Sequence, residues 1–519
     1  MLGRRDPQKS FFGAGAELGP EATAKLGFYG ALASQGDRLF REEDFADAYC
    51  ANNGRPSTPP CLLAIARLLQ HYEGISDAEV IDRCRYDLRW KVALDLDALS
   101  IQAPFAKSTF QAFRARLTLH AKEGLAFEKS VQSAKAAGLL PSRLQVAVDS
   151  SPVRGRGAVK DTFNLLSDAI VAVVRAAATR LEQPVADVAR QAGLGRHVDS
   201  PSIKGTEMVD WEDTVAVSGF LGSLLLDAQR AVKLAGEVGA ATDEVTLLRK
   251  VIAQDIETEA AAGGPRIRDG VTPDRVVSVH DPEMRHGHKS NGKVYSGHKM
   301  HVAVETTRGV ITAVDMTAPS AGDGTQVHPL IEQTRQLTGT EVDRALGDTA
   351  YSTRTAIAQA KRAGVELVTK MASPPKGQHG PGAFQVSDDG QTASCPAGLP
   401  SVKHARRAEG IVHFWASGQC VACPLKSACT KAARRTLSVP PDFHERRRRE
   451  RYAHSPEGRV VMRQRVTAEH AIGRLKNLGA NASRYFGRAK TKAQLLWAAA
   501  VVNLSLAWSA TPAVTAAQA

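Results

Sequence analysis

The sequence predicts an α/β protein: a mixed or parallel sheet with covering helices, preceded by an all-helical N-terminal region and interrupted by a helical insertion and a Cys-rich insertion. Three observations lead there. After residue 323 the segments alternate: TQVHPLIEQTRQLTG is helical, VDRALGD strand-like, TRTAIAQAKRAG helical and VELVT strand-like. Such alternation builds sheets with helices on their faces. LQVAV at 144–148 is a compact apolar strand signal running straight into Asp149-Ser150-Ser151-Pro152. Residues 1–135 and 162–261, by contrast, show only the helical period.

The chain has 519 residues, enough for several domains and a large core. It is 43% hydrophobic, which places it among globular proteins. Its net charge of +13 favours a polyanionic partner, most often nucleic acid. No uninterrupted apolar run approaches the roughly 18–20 residues needed to span a bilayer. The opening MLGRRDPQKSFFGAG lacks an apolar stretch of signal-peptide length. The expectation is a cytoplasmic protein with no membrane partner.

In the first 135 residues, Pro59-Pro60 precedes the amphipathic CLLAIARLLQHY, which Gly74 ends. Ser76 and Glu79 have capping-box spacing before VIDRCRYDLRWKVAL, and Ser108 caps a third helix. Short helices carrying Arg and Lys suit a DNA-binding or dimerisation domain, though helices that only pack together would read the same. Residues 140–370 and 456–510 form the sheet-bearing core. Within it, 162–261 is a helical insertion bounded by the Gly-Gly-Pro at 263–265. RVVSVHD then reads as a strand, PEMRHGHKSNGK as a basic loop, and VYSGHKMHVAVET with GVITAVDMT as a strand pair. His286, His288, His298 and His301 lie irregularly among lysines, which favours strand-face and DNA-backbone roles over metal binding. Residues 371–455 break the alternation as an insertion. An apolar helix at about 490–508 covers the core, and 511–519 is an unstructured tail.

The chemistry rests on three carboxylates. Asp149 and Asp348 each follow a strand, where ligands gather in α/β sheets. Glu469 lies in RVVMRQRVTAEHAIGRLKN at 459–477, read as one helix. There Arg465, Glu469 and Lys476 fall within about 40° of one another, beside an apolar stripe of Val461, Ala468, Ile472 and Leu475. By itself this reads more readily as a surface helix with ordinary ion pairs. If the three acids converge, they suit Mg²⁺ (or Mn²⁺), which takes oxygen ligands and retains waters. Two such ions support in-line displacement at phosphorus.

These segments resemble the insertion-sequence transposases of the Asp-Asp-Glu (DDE) class, which carry a ribonuclease H-like core. VAVDSSPV resembles their first-aspartate strand and RALGDTAYST their second-aspartate motif. MRQRVTAEHAIGRLK resembles the Tyr-x2-Arg-x3-Glu-x6-Lys signature, with Met462 where the family has tyrosine. The resemblance implies that Asp149, Asp348 and Glu469 bind the catalytic metals and that Arg465 and Lys476 contact DNA phosphates. It further implies a homodimer that binds the terminal inverted repeats, cleaves there and transfers strands into target DNA, in bacterial cytoplasm beside the nucleoid.

Cys395, Cys420, Cys423 and Cys429 lie within 35 residues of an otherwise Cys-poor chain. In a reducing compartment, that spacing points to structural Zn²⁺ in an insertion too poor in apolar residues for its own core. Four reduced thiols are the alternative. Arg446, Arg447, Arg448 and Arg449 form a run that suits DNA phosphates, or else a solvated face. Two other functions fit: a metal-dependent nuclease without strand transfer, and a non-enzymatic DNA-binding regulator.

Overall fold

Six strands form the central sheet of the computed structural model. They are β1 (Leu144–Arg154), β2 (Arg285–Ser290), β3 (Lys293–Glu305), β4 (Ile311–Thr317), β5 (Val342–Gly347) and β6 (Glu366–Thr369). The lateral order is β2-β3-β1-β5-β6, with β4 also on β3. β1 is antiparallel to β3 and parallel to β5, and β6 is parallel to β5, so the sheet is mixed. The structure describes residues 1–5, 13–50, 53–239, 242–258, 264–290, 292–370 and 374–510. The expected tail at 511–519 and Gly263 of the Gly-Gly-Pro boundary lie outside these.

Strand alternation gives the sheet two apolar faces. Ala147, Val302 and Leu346 pack against Ala468, Ile472 and Leu475 of the Val466–Asn477 helix and against Leu495, Ala499 and Val502 of the Arg488–Ala510 helix. Val146, Val148, Ala303 and Ala345 pack on the other face against Leu330 and Ile331 of the Val327–Thr338 helix. The helices Thr162–Leu181, Thr214–Val238 and Thr242–Asp255 enclose a separate core containing Leu166, Ile170, Leu224 and Val251. The N-terminal helices gather Phe45, Leu69, Trp90, Phe110 and Phe113, and this cluster is completed by Trp497, Val501 and Leu504 of the Arg488–Ala510 helix.

Local signals explain several boundaries. The Pro60–Glu73 helix has proline in its first turn, and Gly74 ends it at φ 72°, a left-handed conformation that glycine adopts without steric cost. Ser76 and Glu79 make both bonds of a capping box. Elsewhere the structure corrects the sequence expectations. Residues 77–94 form two helices, Asp77–Tyr86 and Leu88–Leu94, because the Asp87 side chain caps the second. Ser108 lies inside the Lys107–Leu119 helix, whose N-cap is Ala106. The Arg354–Arg362 helix is capped by the Thr353 side chain, which accepts the Ala356 amide. Residues 275–281 are not a strand, whereas the basic stretch after them pairs as β2.

Among the histidines, His298 and His301 are fully buried, His298 beside Asp281 and His301 bonded to Thr317. That removes both from any DNA-backbone role. Three helices, Thr162–Leu181, Thr214–Val238 and Arg488–Ala510, are long and apolar enough to cross a membrane by length and composition, contrary to the expectation from uninterrupted runs. Within the fold, 61%, 33% and 72% of their apolar windows are buried.

Candidate active site

β1 carries Asp149 past the end of its parallel neighbour. The β1–β5 ladder runs only to Ala147↔Leu346, while β1 continues against β3 as far as Arg154↔Gly297. Asp149 is therefore mid-strand, not at a strand's end as its sequence context suggested, yet it occupies the carboxyl edge of the parallel pair. Asp348 follows Gly347, the last residue of β5, and its carboxylate accepts the Ala350 amide at 2.9 Å, capping the 349–351 turn. The two aspartates thus leave adjacent parallel strands at the same edge.

Glu469 enters from a helix that the sequence suggested was continuous from 459. The backbone instead makes two helices, Pro456–Arg463 and Val466–Asn477, meeting at Gln464–Arg465. Ala468, Ala471, Ile472 and Leu475 are buried against the sheet, which presents Glu469 from the first turn towards Asp149. Arg465 stands between the two acids. Its Nη1 is 3.3 Å from Asp149 Oδ2 and its Nη2 is 2.5 Å from Glu469 Oε1.

The charges identify this as a cluster of carboxylates. Asp149 is pushed up to about 6, mainly by burial and further by Asp348 and Glu469, against the opposing pull of the Ser150 amide and Arg465. Asp149 is 15% exposed at the side chain and Glu469 is 50% exposed, so the cluster opens to solvent on the glutamate side. Among the described residues, no three His, Cys, Asp or Glu side chains are arranged to hold a metal ion. Carboxylate oxygens are nonetheless the donor type a hard divalent cation takes, and the Arg465 guanidinium pairs with two of the three carboxylates, Asp149 and Glu469. The donor chemistry of these carboxylates, though not their arrangement here, fits the group.

Lys476 flanks the same cluster. Partial burial pushes its ammonium down, as does nearby Lys289, while Asp149 pulls it up. Lys289, at the end of β2, was missed because its segment reads as a loop; the signal was the density of Lys and His there. The arginine run lies on the Phe443–His454 helix. Arg447 bonds Glu450 and the Gly382 carbonyl, and Arg449 pairs with Glu445 at 2.8 Å. Arg448 is exposed, and with Arg449 it lines a pocket beside Leu367, Val368 and Thr369 of β6. Arg446 and Arg447 line another pocket with His379 and Phe443. Tyr485, the nearest tyrosine after Glu469, stacks under Arg114 of the N-terminal helices.

Cys395, Cys420, Cys423 and Cys429 line one pocket with Trp415 and Arg435. The Arg435 amide donates to Cys420 Sγ at 3.4 Å, and the Cys429 thiol is raised, first by burial. This segment does possess a small core, formed by Phe384, Ala393, Trp415, Leu437, Val439 and Phe443, contrary to the expectation from its composition.

Comparison with known families gives two matches. A model described as "Transposase DDE domain" matches residues 272–504, and one described as "Transposase domain (DUF772)" matches residues 28–116. The first spans Asp348 and Glu469; Asp149 precedes it, separated by the helical segment after β1. No curated protein and no solved structure matches the chain.

Proposed function

The chain belongs to the DDE transposases of insertion sequences, and on that premise we propose that Asp149, Asp348 and Glu469 are its catalytic carboxylates, acting at the ends of a mobile DNA element. A DDE transposase is an enzyme that cleaves and joins DNA, works with divalent metals such as Mg²⁺ and has a ribonuclease H-like fold. The observation that supports the residue assignment is the approach of Glu469, through Arg465, to an Asp149 whose proton affinity is raised by both other acids.

Held by these three side chains, two Mg²⁺ or Mn²⁺ ions would activate a water or a 3′-hydroxyl and neutralise the departing oxygen. The protein's own groups do the rest. Arg465 neutralises the carboxylates and is placed to turn to a phosphodiester when one arrives. Lys476 and Lys289 present ammonium groups beside the cluster for the backbone of the strand being cut. Arg446, Arg447, Arg448 and Arg449 add phosphate attraction from the side of β6, with Arg448 the most available.

We assign residues 1–135 to DNA binding or dimerisation, 140–370 with 456–510 to catalysis, and 371–455 to a zinc-stabilised insertion. Zinc rests on the four thiols around one pocket and on the amide donated to Cys420, a partner that orients sulfur ligands. The protein binds the terminal inverted repeats as a homodimer and works on nucleoid DNA in the cytoplasm.

The test is a cleavage and joining assay on the DNA flanking the gene, with Mg²⁺ or EDTA. Metal-dependent joined products are expected, and Asp149→Ala, Asp348→Ala and Glu469→Ala should bind ends without cutting them. Cuts that are never joined would indicate a nuclease. Cutting by all three variants would overturn the assignment.

A further inference from the structure

Directly behind Asp149, on the opposite face of β1, lies a second polar cluster. In the β1–β3 ladder Asp149 is opposite Val302 and Ser150 opposite His301, so successive residues of β1 serve opposite faces. Asp149 faces the glutamate helix. Ser150 faces the side with Lys299 and His301, where its hydroxyl donates to Asp323 Oδ2 at 3.0 Å. Asp323 in turn accepts from Lys299 Nζ at 2.6 Å, and Lys299 also donates to the Ala321 carbonyl at 2.6 Å. Asp323 and Lys299 are each only 14% exposed.

Asp323 opens the short helical turn Asp323–Gln326, which packs on the Thr349–Tyr351 turn capped by Asp348. The approach is close enough that a Cβ on Gly324 would run into the Thr353 side chain. Tyr351, fully buried, lies among Asp323, Asp149 and Asp348, beside Ser150. One carboxylate therefore reaches both strand ends: β1 through the Ser150 hydroxyl, and the Asp348 turn through backbone packing.

We propose that Asp323 is a positioning residue for the DDE site, a brace that fixes Asp149 relative to Asp348 through Ser150 and so sets the site's affinity for divalent metal. The inference rests on Asp149 and Asp348 being metal ligands. Two carboxylates on different strands repel each other, and no backbone hydrogen bond joins them, because the β1–β5 ladder ends at Ala147. A buried, charge-assisted hydrogen bond from behind holds β1 in place without contributing an oxygen to the site. Groups that orient metal ligands in this way change metal affinity by about 10–100-fold when removed.

The experiment is calorimetric titration of the full-length protein with Mn²⁺, without DNA, alongside DNA-end binding in EDTA. Ser150→Ala and Asp323→Asn should each weaken Mn²⁺ binding by about 10-fold and leave DNA binding in EDTA unchanged. Ser150→Thr, which keeps the hydroxyl, should restore the affinity. If Asp149→Ala loses Mn²⁺ while Ser150→Ala and Asp323→Asn keep wild-type affinity, the brace is refuted and the catalytic assignment stands. If Asp149→Ala itself binds Mn²⁺ like wild type, the carboxylate site is refuted and the brace with it. Equal losses of Mn²⁺ and DNA binding, not recovered by Ser150→Thr, would mean a general structural role and would also refute the brace.

Discussion

Asp149→Asn should make the metal-free protein more stable while destroying its activity. The Asp149 carboxyl titrates near 3.8 in an ordinary setting and is pushed up to about 6 in the folded chain. A raised carboxyl holds its proton more tightly folded than unfolded. Its contribution to stability is therefore full below 3.8 and is lost as the pH rises through about 6. The difference is about two pH units, and at about 1.36 kcal/mol per unit the penalty at neutral pH reaches at most about 3 kcal/mol. Asparagine cannot ionise and escapes that penalty. It gives up the ion pair with Arg465, but Arg465 retains Glu469. The assay is urea unfolding in EDTA at pH 4 and pH 8. The variant should gain up to about 3 kcal/mol at pH 8 and little at pH 4. No gain at pH 8, or an equal gain at both, would refute the view that crowded, buried negative charge strains this site.

Three further outcomes follow from other parts of the chain. His197 is buried between Ser167 (2.8 Å) and Asp227 (3.0 Å) and is shifted downward, chiefly by burial. A base depressed in the fold contributes stability above its unfolded value, near 6.5, that is lost as the pH falls. Protection factors in the Thr162–Leu181 and Thr214–Val238 helices, taken against the intrinsic exchange rate at each pH, should therefore fall from pH 7.5 to pH 5, and less so in His197→Gln. Trp497→Ala removes a fully buried ring and should cost about 3–5 kcal/mol, read from urea unfolding. Elemental analysis of the purified protein should find one zinc per chain, lost in Cys420→Ser, with protease sensitivity appearing in residues 374–440.

Much of the candidate site could be read locally. Asp348 follows an apolar strand, and Glu469 sits beside an apolar helical stripe, so each is visible within about ten residues. The surroundings of Asp149 were harder. Ser150-Ser151-Pro152 looks like a turn, yet β1 runs through it. Pro152 is tolerated because β1 has no β5 neighbour beyond Ala147, so on that side no ladder bond needs its missing N–H. β2 was hidden for a related reason. It is an edge strand, and Arg285, His286, His288 and Lys289 make it polar and basic, a composition that suits an edge and resembles a loop. Asp323 carries no local signal at all: its meaning comes from Ser150 and Lys299, 173 and 24 residues away.

The Arg488–Ala510 helix adds a matter of timing. Trp497 lies under Arg67, 5.2 Å from the ring centroid, and stacks on His71, within a cluster whose buried members outside this helix end at Ala126. The helices that bring Phe28 to Ala126 into this cluster cannot finish their core until the Arg488–Ala510 helix, far downstream, has been made. Contacts of such long sequence separation form late and slowly. A chain interrupted before Arg488 would accordingly carry an open N-terminal core and be a substrate for proteolysis instead of a folded fragment.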